Sequence, residues 1–422
     1  MTAAAPGTRA PAPTTAPAPL RRVLDLRFVL AVILLWTALR AVSAVILYQL
    51  AHHWQDPVIY DEPGVPLYFQ FATLWDGQWY ERIATEGYPE ELPVGRDGQV
   101  RQNPWAFYPI FPLLSRAVMA LTGSSFAVAG TVVATLLGYA AAVVVAGLLR
   151  ERVGTAAALG GVALLGAFPS SPTFQVAYTE SLALLLLAGV LWLIVRERWW
   201  AAGALALLTG LARPVALPLG LVALVAVVVR WRRRDRDPLR RGEVAGMLAA
   251  LAGCGLAGLI WPAIAWWRTG VPDAYTVTMS SWRGGEQVTP FVPSIERAQW
   301  LWGDLMGLVV LAAGIGLLLL TVLGPWAAAL GPALRTWCLG YALYLFAALD
   351  PWTSLYRYLM LLFPLYVVMV GGGWRPGTRP GGDQPRWLLV TRTVVIVGLM
   401  LAWQVWWSWY LFMFVPPSDY PP

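Results

Sequence analysis

The sequence predicts an all-α polytopic membrane protein, with about 11 transmembrane helices and a large extracytoplasmic loop after the first of them. Hydrophobic residues make up 58% of the 422 residues and charged residues only 13%. A soluble domain is typically about 45–50% apolar and about 25% charged. One water-soluble core cannot bury this much apolar surface, so lipid must solvate much of the chain. The 24 tryptophans agree with this interpretation, because indole rings favour the membrane interface.

The individual spans follow from apolar runs that approach the length of about 20 residues needed to cross a hydrocarbon core about 30 Å thick. Some of these runs are short or contain Pro and Gly, and together they give about eleven spans. We interpret the run Pro109–Leu121 as a further helix lying on the outer surface. The predicted spans lie near residues 28–50, 126–149, 153–169, 175–195, 199–212, 214–230, 244–267, 304–323, 333–349, 354–371 and 388–412.

The orientation is predicted by arginine, since the chain has no lysine and a net charge of +7. With the N-terminus in the cytoplasm, most of the arginine in the loops falls inside, as the positive-inside rule requires. The expected location is the plasma membrane, with segments 51–125 and 268–303 outside; these carry most of the Asp and Glu. The arginines assigned to the inside are Arg150, Arg152, Arg196, Arg198, the run Arg230–Arg241, Arg335 and the run Arg375–Arg392.

The chain divides into a membrane domain and two short termini. Residues 1–27 are predicted to be a disordered cytoplasmic N-terminus, because the first 20 are rich in Ala, Pro and Thr. The membrane domain covers 28–412, and residues 413–422 form an extracytoplasmic tail. Loops 51–125 and 268–303 are too short to be independent domains. We expect them to fold onto the membrane surface and to wall a cavity between the spans.

The arginine-rich run at 230–241 and the few Cys and His residues bear on possible partners. The run could bind nucleic acid or anionic lipid, but we favour a topogenic cytoplasmic loop, so no nucleic-acid partner is expected. Cys254 and Cys338 lie within apolar runs, and His52 and His53 have no Cys/His cluster around them. We therefore expect no metal site.

Segment 67–89 carries the densest pattern of functional residue types. Phe71, Trp75, Trp79 and Ile83 recur four apart, which predicts one apolar stripe of a helix lying in the interface. Gly87 and a following proline predict its end. Asp76 and Tyr80 would share an adjacent face of this helix.

A carboxylate at the outer membrane boundary suits one kind of reaction. Transfer of a sugar from a lipid phosphate needs a base that takes the proton from an acceptor hydroxyl. A positioned carboxylate that acts as such a base accelerates the reaction by roughly 10²–10⁴-fold. The alternative is that Asp76 merely caps or solvates an amphipathic helix.

Two motifs in the first loop resemble the GPI mannosyltransferase II (PIG-V) family. WDGQWYERIATEGYP contains the Trp75-Asp76 pair followed by Ile-Ala-x-x-Gly-Tyr, and NPWAFYPIFPLL contains Ala-Phe-x-Pro-x-x-Pro. Three later segments resemble the family in the same order. Tyr178 and Glu180 lie in its Tyr-Thr-Glu-Ser element, Arg213 in a Thr-Arg-x-x-Gly element whose Thr and Asn-Gly are absent here, and Arg357 in its late Arg-Tyr element.

The resemblance implies a GT-C glycosyltransferase fold with its catalytic loop after the first helix. It also implies a polyprenyl-phosphate-linked mannose donor, an inverting mechanism, and neither a nucleotide sugar, a cofactor nor an obligatory metal. By its position in the motif, Asp76 would be the general base. The Lys-free composition is typical of a GC-rich bacterium, in which a GPI acceptor is not expected. The acceptor is therefore left as a glycolipid or a glycan.

The departing lipid phosphate gains charge and suits a guanidinium, whose fork matches phosphate oxygens. Arg213 and Arg357 are the candidates, and the alternative for Arg357 is that its side chain extends to the membrane interface together with Asp350. Glu180 either orients the acceptor, pairs with an arginine or is an acidic residue at a helix start. Further substrate contacts are assigned to Trp75 and Tyr178, and to three aromatic residues that could instead be interface anchors: Trp79, Tyr80 and Tyr108.

A transporter or flippase of a lipid-linked sugar is the alternative to an enzyme. Transporters typically show internal repeats and charged or broken helices at the membrane midplane. The chain shows no repeat, and its acidic residues fall in a loop and at span ends.

Overall fold

The computed structural model describes residues 20–285, 289–380 and 382–415, and over these residues the chain is all-helical. The strand-like pairing in this part of the chain is a single bridge between Val94 and Val100. The predicted all-α class is thereby confirmed. Most of the predicted disordered N-terminus (1–27) and of the tail (413–422) lies outside the described residues.

The described chain contains nineteen α-helices. The first ten are α1 Leu20–Val23, α2 Leu26–His53, α3 Leu67–Phe71, α4 Asp76–Thr85, α5 Ile110–Thr122, α6 Phe126–Val153, α7 Thr155–Ala167, α8 Glu180–Val195, α9 Trp199–Thr209 and α10 Ala216–Arg232. The others are α11 Arg241–Leu256, α12 Ile260–Thr269, α13 Ala274–Ser281, α14 Val292–Trp302, α15 Asp304–Leu323, α16 Gly331–Ala348, α17 Leu355–Leu359, α18 Pro364–Met369 and α19 Arg386–Trp407.

Four helices in the described residues are long and apolar enough to cross a membrane: α2, α6, α15, and α19 with its π-helical extension to Phe412. Helices α11 and α12 meet at a bend of 51° and add a fifth span if they form one broken helix. Large apolar side chains on α15 and α19 face outward, with Leu305 76% and Leu399 68% exposed. Water would solvate such faces poorly, so they indicate association with a lipid bilayer.

The total of eleven spans stays a prediction, because several predicted spans are short helices. Helices α7, α8 and α9 have 13, 16 and 11 residues. The predicted span 354–371 is divided into α17, a 3-10 turn at Met360–Leu362, and α18. Pro364 stands at the first position of α18. Proline is tolerated there because the N–H of a first helical residue makes no hydrogen bond within the helix.

Helix α9 packs closely on α11 because glycines face each other across the contact. A Cβ atom on Gly203 would lie 2.6 Å from the carbonyl oxygen of Ala249, and one on Gly253 would lie 2.4 Å from that of Gly203. Small residues at such contacts let two helix backbones approach, as is common between helices in membranes. Substitution of either glycine would push the two helices apart.

The prediction of one continuous helix and one apolar stripe over 67–89 is wrong. Helix α3 ends at Phe71 and α4 begins at Asp76, with Trp75 between them at a left-handed φ of +60°. Phe71 and Trp75 pack against Phe412 and Phe414 beyond α19, whereas Ile83 belongs to a separate apolar cluster. Two different packing surfaces thus divide the stripe.

The prediction that this stripe lies among lipid headgroups is corrected as well. Phe71 and Ile83 are 0% and 1% exposed, so their rings and methyl groups face protein. The predicted helix end is confirmed, since Gly87 adopts a φ of +87° just beyond α4. The predicted outer helix at Pro109–Leu121 corresponds to α5.

Candidate functional site

Asp76 is the first residue of α4, directly after the strained Trp75. A positive φ at a bulky residue costs on the order of 1–3 kcal/mol, and tertiary contacts hold it in place. The Trp75 indole Nε1 donates a 2.7 Å hydrogen bond to the Phe412 carbonyl oxygen. A negative charge at a helix N-terminus is favoured by the helix dipole. The Asp76 side chain is 23% exposed, so solvent or a ligand can reach it.

Tyr178 joins the break before α4 to the segment that precedes α8. Its hydroxyl donates a 3.1 Å hydrogen bond to the Leu74 carbonyl oxygen and accepts a 3.3 Å hydrogen bond from the Asp76 N–H. The Tyr178 ring also lies 5.2 Å from the guanidinium carbon of Arg357. A buried tyrosine thus positions the backbone that carries Asp76.

Arg357 connects Asp76 to the start of α8. Its Nη1 donates to Asp76 Oδ2 at 2.6 Å and to Glu180 Oε1 at 3.0 Å. The Arg357 and Glu180 side chains are 7% and 2% exposed. Asp350, the alternative partner, instead pairs with Arg297 at 3.3 Å. The pairing of Arg357 with Asp350 is therefore wrong.

Arg213 completes a cluster of four charges that we call the charge cluster: Asp76, Glu180, Arg213 and Arg357. Arg213 lies between α9 and α10, and its Nη1 is 3.1 Å from Glu180 Oε1. Two of the alternatives for Glu180 are confirmed together, since it pairs with arginine and is also the first residue of α8. The two cations and two anions of the cluster balance each other. Pairing of this kind is needed for buried charges, because removal of one partner costs on the order of 3–5 kcal/mol of stability.

The charge cluster retains capacity for a further polar group. Among the described residues, Arg357 Nε and Glu180 Oε2 are buried without a hydrogen-bond partner. Buried polar atoms are usually paired, and exceptions call for a specific explanation. A guanidinium with a free donor can bind an anion, and the partly exposed Asp76 carboxylate can accept a proton.

A cavity of about 530 Å³ adjoins the charge cluster at Arg213. Residues of α13 and the segment before it form one side, and residues of α16 form another. Its polar wall includes Asp273, Ser280 and Arg283, and four tyrosines line it: Tyr275, Tyr341, Tyr344 and Tyr358. The predicted region 268–303 therefore does wall a cavity, and Arg213 is the member of the charge cluster that lines it.

The four cavity tyrosines were not among the residues predicted from sequence. Tyr341 and Tyr344 are three residues apart in the otherwise apolar α16, so they share one helix face. Tyr358 follows Arg357 directly, and its ring lies 4.6 Å from the guanidinium carbon of Arg213. Hydroxyl-bearing rings at helical spacing inside an apolar span were the signal that could have identified them.

The remaining predicted aromatic residues contact protein. Trp79 stacks on Phe107 with ring centroids 5.6 Å apart. Tyr80 packs between Phe107 and Phe111; burial, and then the charges of Asp76 and Glu180, raise the pKa of Tyr80 well above its usual range. Roles for these two side chains in binding substrate stay predictions.

Tyr108 contacts the cavity indirectly, through a residue of its wall. Its hydroxyl lies 2.9 Å from that of Tyr275, which lines the cavity wall. A second contact joins the same two loops, since Asn103 Nδ2 donates a 3.0 Å hydrogen bond to Thr278 Oγ1. Tyr108 is thus placed to support the cavity wall from the first loop.

Comparison with known proteins adds no relative. A scan against protein-family models finds none that matches this chain, and a search of curated proteins finds no significant match. The chemistry of the charge cluster and the cavity is therefore the basis for a functional assignment.

Proposed function

We propose that this chain is an inverting membrane glycosyltransferase of the GT-C class. It would transfer mannose, or a related sugar, from a polyprenyl phosphate to a glycolipid or glycan acceptor on the extracytoplasmic side. The observation that carries the proposal is the partly exposed Asp76 carboxylate at the N-terminus of α4, which pairs with the buried Arg357. The motif resemblance in the first loop and the apolar helices add support.

Asp76 is the proposed general base. The acceptor hydroxyl gives its proton to the Asp76 carboxylate while the acceptor oxygen forms a bond to the anomeric carbon. The bond between that carbon and the phosphate oxygen breaks at the same time, and its electron pair leaves with the lipid phosphate. A single displacement of this kind inverts the anomeric centre and needs one base and no covalent enzyme intermediate.

Arg357 and Arg213 are the proposed stabilisers of the departing phosphate. Preformed cationic donors in a water-poor site stabilise developing negative charge at low reorganisation cost. Arg357 has a buried Nε that is free of partners among the described residues. Arg213 faces the cavity with the Tyr358 ring packed beside it. The two arginines would therefore be available to phosphate oxygens from adjacent positions.

The cavity is the proposed binding place for one sugar-bearing substrate. Its volume of about 530 Å³ is within the range of about 300–1,000 Å³ that small-ligand pockets have. Its tyrosines offer flat apolar faces and hydroxyls, and both are suited to the two kinds of surface on a pyranose ring. Asp273 and Arg283 add hydrogen-bonding groups at the wall.

Turnover of a defined donor tests the proposal. Purified protein is incubated with radiolabelled polyprenyl-phosphate mannose and an acceptor lipid extract, and release of polyprenyl phosphate is followed. Asp76→Asn should slow release by roughly 10²–10⁴-fold. Glu86→Gln, at the exposed end of the same helix with a side chain 65% exposed, is the matched control and should be active. Full activity of Asp76→Asn would contradict the assignment of Asp76 as the general base.

Movement of a lipid-linked sugar without turnover is the second candidate function. The 51° bend between α11 and α12 favours it, since broken helices are typical of transporter sites. Liposomes containing the protein and a fluorescent lipid-linked sugar distinguish the two. Transbilayer movement of intact lipid, with no release of lipid phosphate, would identify a flippase.

A further inference from the structure

Arg40 is a buried cation in the middle of a membrane-spanning helix. It stands 14 residues after the start of α2, about 20 Å along the helix axis. Four arginines are buried in the described residues. Arg213 and Arg357 pair with Glu180, and Arg230 pairs with Glu243 at 2.6 Å. Arg40 is the one for which no carboxylate of the described residues forms an ion pair.

The partners of Arg40 compensate its charge only in part. Its two terminal nitrogens donate to the carbonyl oxygens of Gly166 and Ser171, and Nη2 also donates to Ser171 Oγ at 2.9 Å. Gly166 lies in the last turn of α7, where unpaired carbonyls carry the negative end of the helix dipole. That end amounts to about half an elementary charge. A net positive charge therefore remains at membrane depth, where ionisable groups usually have a function.

A second cavity, of about 390 Å³, lies beside Arg40 between α2 and α6. Hydroxyl-bearing side chains from both helices and from α3 line it, including Thr37, Tyr68, Thr131 and Tyr139. Arg40 Nε and Thr131 Oγ1 are both buried without a hydrogen-bond partner among the described residues. Arg40 and Thr131 are 5% and 4% exposed as whole residues. Two residues that each hold an unsatisfied buried donor thus line one cavity.

The rim of this cavity faces the surface that lipid would cover. Val132 and Leu136 line it and are 40% and 64% exposed on the outside of α6. At its other end the cavity reaches Tyr68 and Phe69 of α3, in the loop that follows α2. Thr131 is five residues after the start of α6, about 8 Å from the N-terminal end of that helix. The cavity therefore extends from the level of the loop helix toward the middle of the spans and opens sideways.

We infer that this cavity binds the anionic phosphate of a membrane lipid, with Arg40 as its charge partner. Arg40 supplies a free N–H, the hydroxyls supply further hydrogen bonds, and the exposed faces of Val132 and Leu136 offer contact for an acyl chain. A charge-assisted hydrogen bond to phosphate is roughly twice as strong as a neutral one. The site is separate from the charge cluster, and the inference does not depend on the proposed function.

Native mass spectrometry of the full chain in detergent tests the site. Phosphatidylglycerol and phosphatidylcholine with the same acyl chains are titrated separately, and inorganic phosphate is added in a third arm. We expect one phosphatidylglycerol to bind about tenfold or more tightly than phosphatidylcholine. Arg40→Gln should lower the affinity for phosphatidylglycerol to the level of phosphatidylcholine.

Two further variants separate lipid binding from folding and from net charge. Ala44→Phe fills the cavity and leaves Arg40 in place, so it should remove the same preference even if Arg40→Gln does not fold. Arg335→Gln is the matched control, since Arg335 also donates to backbone carbonyls, those of Val322 and Leu323. It should bind phosphatidylglycerol within about twofold of the unaltered protein.

Two results would overturn the inference. One is an unchanged affinity for phosphatidylglycerol in a folded Arg40→Gln or Ala44→Phe variant. This result would mean that the role of Arg40 is limited to hydrogen bonding at the end of α7. The other is displacement of the lipid by inorganic phosphate, which would identify a site for a free anion.

Discussion

Arg357 donates a 2.6 Å hydrogen bond to Asp76 across 281 positions of sequence. The same nitrogen, Nη1, also donates to Glu180, so the two N–H bonds of one guanidinium nitrogen are directed at two carboxylates. An incoming phosphate would compete with both for the guanidinium. Under the proposed function, donor binding would therefore weaken the hold of Arg357 on Asp76 and free the carboxylate as the acceptor arrives.

Substitution of Arg357 tests this coupling. Arg357→Gln should reduce kcat by about 10²–10³-fold, the usual loss when one donor to a developing anion is removed. Arg357→Lys keeps the charge but not the fork, so it should retain more activity than Arg357→Gln while remaining below the unaltered enzyme. Initial rates of lipid-phosphate release give the comparison. Equal rates for all three proteins would show that Arg357 has no part in the reaction.

Glu180 should be essential to the stability of the charge cluster. Glu180→Gln keeps the shape of the side chain but leaves Arg213 and Arg357 with one carboxylate between them. Removal of one partner from a buried ion pair costs about 3–5 kcal/mol. The expected result is a clear fall in Tm, measured by thermal unfolding in detergent.

Glu86→Gln is the control for this loss. Glu86 pairs with Arg82 at 3.0 Å, but both side chains are more than half exposed. An exposed pair of this type is worth about 0.3–0.5 kcal/mol. A Tm for Glu180→Gln as high as that of Glu86→Gln would contradict the electrostatic account of the cluster.

The members of the charge cluster were predictable from sequence, but their pairing was not. Asp76, Glu180, Arg213 and Arg357 are ionisable residues next to apolar runs, where a charge is costly enough to suggest a role. Which carboxylate each arginine meets depends on how α8, α10 and α17 pack. The alternative considered from sequence placed Arg357 with the nearby Asp350, and tertiary structure instead brings Asp350 to Arg297.

The break before α4 shows a second limit of local pattern. The i, i+4 spacing of Phe71, Trp75, Trp79 and Ile83 is consistent with one helix face. The structure overrides it because Phe412 and Phe414, beyond α19, pack against the first two side chains. The Trp75 indole also donates a hydrogen bond to the carbonyl oxygen of Phe412, 337 residues away. The spacing of apolar residues indicates that they are buried, but it does not indicate whether they pack against one surface or against two.

The tyrosine-lined cavity should be needed for activity. Ala348 lines it, so Ala348→Trp would fill part of the space without altering any member of the charge cluster. A substrate displaced by about 1 Å can lose on the order of 10²-fold in rate, and we expect kcat/KM to fall at least about tenfold. Leu343→Trp is the control, since Leu343 is on the same helix but 56% exposed and away from the cavity. Comparable kcat/KM values for the two variants would exclude the cavity as a substrate site.

Glu81 should make the stability of the first loop depend on pH. Burial, followed by the charges of Glu62 and Asp61, raises the pKa of Glu81 from its usual 4.5 to about 7. Between these two values the unfolded chain has lost the proton and the folded chain still holds it. Stability therefore decreases as pH rises through this window, and the full penalty persists above it. Glu81→Gln removes the penalty, so its Tm should exceed that of the unaltered protein at about pH 8.

The shape of this difference identifies its cause. The Tm advantage of Glu81→Gln should be small at about pH 5, grow up to about pH 7 and then stay level. Asp61→Asn removes one of the charges that raise the pKa of Glu81, so in that background the Glu81→Gln advantage should be smaller. An advantage that is constant from pH 5 to pH 8 would mean that Gln stabilises by packing, because a protonation effect must follow the titration of the carboxyl group.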